Sequence, residues 1–462
     1  MKTRFAPSPT GNLHIGSVRT ALFNYLFAKS NKGKFILRIE DTDRERSKPI
    51  YEKDIIDSLK WLGIEWDKGP FNQSERTDIY EKHLKKLLDE KKAYYCFCSS
   101  LELEAKRQDQ MARGEAPKYD GKCSNLPRED IEKNLSEGKS CVIRLRVPKV
   151  KIAFNDLIRG KIEMDSSLIG DFVVAKDLKT PLFHFAVVID DELMDITHVI
   201  RGEDHISNTP KQILLQEALS FKKPSYAHIP LILAPDRSKL SKRHGATSVL
   251  EYRTMGYLPE AIINFLAFLG WNPGTEKEIF SLKELEKDFS LDKVQKAGAI
   301  FNQQRLDFLN GFYIRQLSVK ELAKRCKEYI GDHPDLEGIL SLYQSRIKRL
   351  DELAQETDFF YKDDISYQKE LLRWKEMTDS DLASTLEKLE TILTGIPEKN
   401  WNLKNIQNIL LLEAERFNNR GELLWPFRVA MTGKKHSAGP FEVSAILGRE
   451  KTLKRVKAAR LL

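Results

Sequence analysis

The opening stretch of the chain, up to Ser47, constrains the fold more than any other part. A turn rich in proline and glycine precedes the tripeptide His14-Ile15-Gly16, and apolar residues then recur at helical spacing. The β-rich run FILRIE follows, and a further helix opens at Pro49. This alternation of helices and strands predicts a parallel sheet with crossover helices, and therefore an α/β fold.

The turn and the first helix together form a candidate phosphate site. A helix N-terminus exposes unpaired N–H groups and carries partial positive charge, so an anionic group can bind there. An imidazole, His14, and a glycine that permits close approach, Gly16, suit a nucleoside triphosphate. Far downstream, the run KLSKR from Lys239 to Arg243 offers cations for the same phosphates. Taken singly, each element is better explained as a structural histidine or a solvated charge run, and only their combination indicates a nucleotide site.

The two elements resemble the HIGH and KMSKS signatures of class I aminoacyl-tRNA synthetases. The flanking runs FAPSPTG, RTALFN, LRIEDTDRERS, VIRGEDHISNTP and LSKRHGA resemble bacterial-type glutamyl-tRNA synthetases, as does MTGKKHSAGPFEVSAILGRE near the end. The resemblance covers essentially the whole chain. It implies a ligase that uses ATP with Mg²⁺ to convert L-glutamate to glutamyl-adenylate, and then transfers glutamate to tRNA(Glu). A nucleotidyltransferase of the same fold and a non-catalytic tRNA-binding paralogue are the alternatives.

The resemblance also implies roles for individual residues. His14 and Lys242 are the expected catalytic residues, with Lys242 on the α-phosphate. The expected ATP-binding residues are Pro7, Ser8, Pro9, Thr10, Gly11, His14, Gly16, Ser17, Lys239, Leu240, Ser241, Lys242 and Arg243. The expected glutamate-binding residues are Arg4, Ala6, Ser8, Glu40, Phe183 and Arg201. Glu40 is expected on the α-ammonium and the two arginines on the carboxylates, in an order that the sequence leaves open.

Phe183 departs from the family pattern, which usually has tyrosine in this stretch before AVVIDD. Phenylalanine keeps the shape of the ring but removes a hydrogen-bond donor. A lost hydrogen bond to a charged group is worth about 1.5–3 kcal/mol. His184 or a water molecule could replace the donor. We expect weaker glutamate binding than in a Phe183→Tyr variant.

Three cysteines match positions of a zinc site found in some members of the family. They are Cys96, Cys98 and Cys123, and the usual fourth ligand, a histidine, is replaced by Asn125. Tyr119 could supply an oxygen in its place. Structural zinc sites normally have four nitrogen or sulfur ligands. Both a zinc site and a hairpin with three free thiols therefore stay open.

The fold implied by the resemblance is α/β, with a class I Rossmann catalytic domain, an inserted α+β acceptor-binding domain, a connecting domain and an all-helical anticodon-binding region. The expected boundaries are 1–95 and 186–236 for the catalytic halves, 96–185 for the insertion, 237–317 for the KLSKR loop and stem-contact domain, and 318–462 for the helical region. The run FAVVIDDELMDITHVIRGEDH is expected to resume the sheet with strands. A helix from Ser207 to Leu219 is expected to begin with a Ser or Asn cap and to carry Pro210 in its first turn.

Composition restricts the class of protein. A chain of 462 residues is expected to form two to four domains. No apolar run approaches the ~20 residues of a membrane span, and we expect neither a leader peptide nor a membrane or DNA partner. Five cysteines in this length indicate a reducing cytoplasm rather than a disulfide framework. We expect a monomer.

Positive charge is concentrated at the end of the chain. After Trp425, only Glu442 and Glu450 oppose nine basic residues, which suits RNA as well as a solvated tail. The nine are Arg428, Lys434, Lys435, Arg449, Lys451, Lys454, Arg455, Lys457 and Arg460.

Overall fold

Strands and helices alternate along the first 300 residues, and the described elements from Gln303 onward are helical. The structure is a computed structural model that describes residues 1–241, 243, 245 and 247–462. The strands are β1 Lys2–Phe5, β2 Lys34–Ile39, β3 Lys68–Asn72, β4 Ala93–Cys96, β5 Val142–Leu145, β6 Lys151–Asp156, β7 Gly160–Asp165, β8 Val173–Asp177, β9 Thr180–Pro181, β10 His198–Gly202, β11 Ser225–Ile229, β12 Ile232–Leu233 and β13 Ala299–Ile300.

The continuous helices range from about one and a half to about four and a half turns, and the last span is interrupted at Gly448, whose backbone is not helical. They are α1 Ile15–Ser30, α2 Pro49–Trp61, α3 Thr77–Asp89, α4 Ser100–Ala112, α5 Arg128–Ser136, α6 Phe183–Leu193, α7 Thr209–Leu219, α8 Val249–Thr254, α9 Pro259–Ala267, α10 Leu282–Asp288, α11 Gln303–Gln316, α12 Val319–Ile330, α13 Leu336–Tyr343, α14 Glu352–Thr357, α15 Asp379–Thr394, α16 Leu403–Ala414, α17 Gly421–Thr432 and α18 Pro440–Arg460. Among the described helices, none has both the length and the apolar character that crossing a membrane requires.

The chain divides into two compact units. The first comprises Met1–Arg253 and Pro259–Leu306, and the second comprises Thr254–Leu258 and Asp307–Leu462. The first unit is mixed α/β. The second is helical, and in α15 a stripe of leucines at helical spacing is buried. The stripe consists of Leu382, Leu386, Leu389 and Leu393.

Two sets of parallel strands form the centre of the first unit. The strands β1, β2 and β3 form one parallel sheet, in which Arg4 lies opposite Ile36. The strands β10, β11 and β6 run parallel in a second sheet, and β7 pairs antiparallel with β6. The two sheets meet where Thr197, directly before β10, donates its N–H to the carbonyl of Lys2 at 3.0 Å. The predicted parallel sheet with crossover helices is confirmed, because α1 and α2 connect the first three strands.

A separate antiparallel sheet is formed by strands between β3 and β10. It has the order β4-β5-β8-β9. The β-rich runs CVIRLRV and KIAFNDLI contain β5 and β6, but β6 joins the parallel sheet of β10 and β11 instead of this one. The segment therefore contributes both to a sheet of its own and to the central sheet.

The run FAVVIDD is predicted from the sequence to continue the sheet, and that prediction is wrong. It lies in the helix α6, where seven consecutive residues from Phe185 to Asp191 are buried. A helix buried on all faces shows no 3.6-residue polar period, so its β-branched apolar run looks like a buried strand. The strand expected after it is present as β10.

The helix expected from Ser207 begins later. Residues Glu203–Asn208 form a 3-10 turn, and α7 starts at Thr209 with Pro210 in its first turn as predicted. The expected side-chain cap is wrong, because the amide of Asn208 instead hydrogen-bonds the ring of His205 at 3.1 Å. The same turn places His205 beside the cavity described below.

Candidate active site

One cavity in the first unit collects most of the residues that the sequence singles out. Its volume is about 580 Å³, and it lies where β1, β2 and β10 end and α1 begins. Ligands of parallel α/β sheets bind at this edge. The predicted residues that line it are Arg4, Ala6, Pro7, Ser8, Thr10, Gly11, His14, Gly16, Ser17, Glu40, Phe183, Arg201, Lys239 and Leu240. Pro9, Ser241 and Arg243 are not among the lining residues, and Lys242 lies outside the described residues.

The turn before α1 is held from both sides. Gly16 donates its N–H to Nδ1 of His14 at 3.0 Å, so His14 caps the helix. A Cβ atom at position 16 would lie 3.3 Å from that nitrogen, which explains the glycine. On the other side, the carboxylate of Asp54 accepts the N–H of Leu13 at 2.6 Å. Because Nδ1 accepts, the neutral ring carries its proton on Nε2, which is a donor suited to a phosphate oxygen.

The KLSKR segment is tied to the same turn. Within it, Leu240 donates its N–H to the carbonyl of Ile232 in β12 at 3.1 Å. After it, the carbonyl of Thr247 accepts the N–H of Ile15 at 2.8 Å. The ammonium of Lys239 lies 3.2 Å from the carboxylate of Asp204. Lys239 and Leu240 therefore line the cavity near the start of α1, whereas Lys242 lies outside the described residues.

A buried ion-pair network surrounds the predicted glutamate-binding end. Nε of Arg4 lies 3.1 Å from the carboxylate of Asp191, which also receives Nη1 of Arg38 at 2.8 Å. Nη2 of Arg38 reaches Glu40 at 3.1 Å, and its guanidinium is fully buried. Burial opposes the charge of Asp191, but Arg4 and Arg38 hold the pKa of that carboxyl below its usual value.

Glu40 is shifted in the other direction. Burial raises the pKa of its carboxyl, and the nearby guanidinium groups of Arg38 and Arg4 offset only part of the rise. A cation bound beside Glu40 would stabilise the ionised form. The carboxylate is therefore suited to receive an ammonium group from a ligand.

Arg201 has a different environment from Arg4. Its Nη2 donates to the hydroxyl of Thr209 at 2.7 Å, and its Nε donates to Nε2 of His228 at 3.2 Å. Among the described residues, no carboxylate lies within ion-pair distance of this guanidinium. Burial, followed by repulsion from Arg4, lowers the pKa of Arg201 to about 10. A ligand carboxylate would supply the missing opposite charge.

Phe183 lines the cavity at the start of α6, and its ring centre lies 6.2 Å from that of His205. His184 is not a lining residue, so the sequence-based suggestion that its side chain replaces the missing tyrosine hydroxyl is not supported by this geometry. Burial, followed by the charge of Lys211, lowers the pKa of His184 to about 4. The ring of His184 is therefore neutral at pH 7.

Three thiols form a second cluster in the segment between the parallel strands. The Sγ atoms of Cys96, Cys98 and Cys123 all lie within 4.8 Å of one another. The hydroxyl oxygen of Tyr119 lies 3.4 Å from Cys96 Sγ and 3.5 Å from Cys98 Sγ. The three sulfurs and the hydroxyl oxygen therefore lie close enough to one another to be candidate ligands of one metal ion.

Several lining residues are missed by sequence reasoning. Asp204 and His205 lie within the run VIRGEDH, whose resemblance to the family could have singled them out. Arg19 also lines the cavity, although it is buried within α1 and donates to the carbonyl of Leu269 at 2.9 Å. No sequence signal distinguishes such a buried arginine from a surface one.

The basic C-terminal residues carry less available charge than their number indicates. Of the nine, seven contact acidic side chains or backbone carbonyls within the second unit, including Lys454, which lies 2.8 Å from Asp364. The others are Arg428, Lys434, Arg449, Lys451, Arg455 and Arg460. Two described residues, Lys435 and Lys457, have no such partner. The charge excess alone therefore overstates the support for an RNA-binding surface.

Comparison with known proteins identifies the class of protein to which this chain belongs. The family model described as the catalytic domain of class I tRNA synthetases (E and Q) matches residues 1–308, and a model described as an anticodon binding domain matches residues 321–460. The parallel sheet, the helix-capping histidine and the helical second unit agree with this class, and the expected fold is confirmed.

Curated and solved relatives narrow the assignment. The glutamate–tRNA ligase of Carboxydothermus hydrogenoformans is 45% identical, with 99% of each chain covered. Glutamate–tRNA ligase 2 of Thermoanaerobacter pseudethanolicus is 44% identical, with 99% of this chain and 98% of the relative covered. The crystal structure of a glutamate tRNA ligase from Elizabethkingia meningosepticum in complex with its amino acid has a TM-score of 0.89 at 34% identity, covering 100% of this chain and 99% of that one. The chain belongs to the glutamate–tRNA ligase family.

Proposed function

We propose that the cavity joins L-glutamate to ATP and that the chain then transfers glutamate to the 3′-terminal adenosine of tRNA(Glu). The observation that carries the proposal is the placement of one buried acid and two buried guanidinium groups in the cavity that also contains His14. Glutamate has one ammonium and two carboxylates. Glu40 matches the ammonium, and Arg4 and Arg201 match the carboxylates, since a guanidinium binds a carboxylate through two parallel hydrogen bonds.

The first step is adenylate formation. An oxygen of the glutamate α-carboxylate attacks the α-phosphorus of ATP, the bond to the β-phosphate breaks, and pyrophosphate leaves with the electron pair. Mg²⁺ accompanies ATP as part of the substrate and neutralises phosphate charge. In the second step a hydroxyl of the terminal ribose attacks the acyl carbon, and AMP leaves.

Stabilisation of phosphate charge is the contribution expected of this chain's own residues. His14 would donate from Nε2 to a phosphate oxygen, and the N-terminus of α1 would add its partial positive charge. Lys242 would supply a full positive charge as the phosphorus becomes five-coordinate, while Lys239 would help to hold the segment through Asp204. Fixed donors and cations suffice for this step, and no side-chain nucleophile is required.

The thiol cluster is the proposed zinc site. Cys96, Cys98 and Cys123 would bind the ion as thiolates, and Tyr119 would complete the donor set. Zinc would cross-link the end of β4 to the loop that contains Cys123, and so stiffen the segment between the parallel strands.

The division of labour along the chain is also part of the proposal. Residues 96–185 would contact the acceptor end of tRNA, residues 237–317 its stem, and residues 318–462 its anticodon. The match of residues 321–460 to an anticodon binding domain supports the last assignment.

ATP–pyrophosphate exchange tests the proposal most directly. We expect exchange that depends on glutamate and is not supported by glutamine, measured with and without total bacterial tRNA. The variant Glu40→Gln should lose glutamate-dependent exchange, whereas the matched control Glu45→Gln, whose side chain is exposed, should retain it. Absence of exchange from the wild-type protein under every condition would contradict the enzymatic proposal and favour a tRNA-binding paralogue.

A further inference from the structure

A buried chain of hydrogen bonds crosses three neighbouring strands behind the cavity. Oδ2 of Asp156 at the end of β6 lies 2.6 Å from Nδ1 of His228 in β11. On the other side of the ring, Nε2 of His228 accepts a hydrogen bond from Nε of Arg201 in β10 at 3.2 Å. Arg201 and His228 are register partners in the parallel pair of β10 and β11. The side chains of Asp156 and His228 are fully excluded from solvent.

The geometry determines where the proton of the imidazole lies. The guanidinium of Arg201 can only donate, so Nε2 of His228 accepts and carries no proton. The proton of the neutral ring is then on Nδ1, where it is donated to Asp156. This carboxylate is itself fixed, because its Oδ1 accepts the N–H groups of Ile158 at 3.0 Å and Arg159 at 2.8 Å.

The groups that face His228 favour this neutral ring. They are Asp156 and Arg201 at its two nitrogens, the hydroxyl of Thr209 3.1 Å from Nε2, and the ring of Tyr226 stacked at 6.3 Å between centres. Arg159 approaches from the backbone side, with its Nε 3.4 Å from the carbonyl of His228. Burial lowers the pKa of the imidazole; Asp156 counteracts this, and Arg201 lowers the pKa further. A second ring proton would point at the Nε–H of Arg201 and break their hydrogen bond.

We propose that Asp156 and His228 are positioning residues that hold Arg201 in the orientation required to bind a carboxylate of the amino-acid substrate. This inference rests on the proposed function. The charge of Arg4 is neutralised directly by Asp191. Arg201, in contrast, is separated from the carboxylate of Asp156 by the neutral imidazole of His228, to which both are hydrogen-bonded. The guanidinium of Arg201 is therefore fixed in direction but keeps an unmatched positive charge, which a substrate carboxylate can neutralise.

Two amide variants of His228 separate positioning from simple filling of space. The side-chain oxygen of glutamine can take the place of Nε2 and accept from Arg201, whereas the shorter asparagine reaches only the place of Nδ1. We expect His228→Asn to raise the KM for glutamate about tenfold or more, as loss of a hydrogen bond to a charged group implies, with the KM for ATP unchanged. His228→Gln should keep most of the affinity for glutamate. A purely structural role would affect both variants alike and would not separate the two substrates.

Asp156→Asn provides a second route if the histidine variants do not fold. The asparagine oxygen can still accept the two backbone N–H groups, but its amide donates toward His228 and forces the proton onto Nε2, against Arg201. We expect the same rise in the KM for glutamate. An unchanged glutamate KM in this variant, or equal effects of the two histidine variants, would overturn the inference.

Activity of the wild-type protein distinguishes a failure of the proposed function from a failure of the positioning role. Absence of glutamate-dependent activity in the wild type would contradict the proposed function itself. An active wild type whose His228→Asn and Asp156→Asn variants bind glutamate normally would leave that function standing and refute the positioning role.

Discussion

Asp191 is a buried carboxylate that pairs with both Arg4 and Arg38, so removing its charge tests the buried network directly. It lies 3.1 Å from Nε of Arg4 and 2.8 Å from Nη1 of Arg38, and all three side chains are at least nine-tenths buried. Removing one partner of a buried ion pair costs about 3–5 kcal/mol, because the remaining charge stays buried. Asparagine retains one accepting oxygen. We therefore expect Asp191→Asn to lower the free energy of unfolding by about 3 kcal/mol, the lower end of that range. For a unit of this size, that corresponds to a fall of roughly 6 °C in the unfolding midpoint.

The pH dependence has a definite sign. The pKa of Asp191 is held below its usual value, so its contribution to stability is present above the unfolded value near 3.8 and is lost as the pH falls through the folded value. Wild type and variant should therefore differ at pH 7 and converge in acid. Scanning calorimetry at pH 7 and in acid measures this difference, and the KM for glutamate should rise because Arg4 loses the charged carboxylate that holds it.

A matched substitution tests whether burial is the cause. Asp195 pairs with Lys2 at 2.8 Å, but its side chain is 79% exposed. Asp195→Asn makes the same chemical change in a solvated pair, so the midpoint should stay unchanged. Equal midpoints for wild type and Asp191→Asn at pH 7 would refute the reasoning about the buried network.

Three further predictions address other parts of the molecule. Phe183→Tyr should lower the KM for glutamate roughly tenfold, since the new hydroxyl can bond a charged group; an unchanged KM would contradict this. Purified protein should contain one equivalent of zinc by elemental analysis, lost in Cys98→Ser but kept in Cys141→Ser; a metal-free wild type would count against the zinc site. The pKa of His184 is about 4 in the folded chain and 6.5 in the unfolded chain. Between pH 4 and pH 6.5 the unfolded state therefore binds one more proton than the folded state. Stability should fall by up to roughly 3 kcal/mol as the pH drops across that window, less steeply in His184→Gln; parallel pH profiles would argue otherwise.

A short apolar run that is buried on every side can form either a strand or a helix, and the run alone does not decide between them. The run FILRIE can be recognised as the strand β2 because it is short, β-rich and bounded by turn residues. The run FAVVIDD has the same texture, yet it forms α6, because a helix enclosed by the core needs no polar face. Only packing around the segment distinguishes the two, and packing is not contained in a local window of sequence.

The cavity residues are predictable to the extent that they fall in contiguous motifs. The motifs around His14 and Lys239 are enough to indicate most of the lining residues. The supporting residues Asp156, Asp191 and His228 are not indicated in this way, since no local pattern marks them as partners of the site residues. Their partners come from other strands, and the pairing of His228 with Arg201 depends on the register of two strands. That register is a property of the folded sheet.

The buried charges around the predicted amino-acid end would also favour glutamate over glutamine. Three arginines, Arg4, Arg38 and Arg76, are matched by three carboxylates, Asp191, Glu40 and Asp190. Arg201 has no matching carboxylate among the described residues. The group therefore carries one excess positive charge when Glu40 is ionised. Glutamate brings a net charge of −1 and makes the occupied site neutral, whereas zwitterionic glutamine would leave a buried positive charge uncompensated. Because an unpaired buried charge is strongly unfavourable, charge balance selects glutamate even before any hydrogen bond distinguishes a carboxylate from an amide.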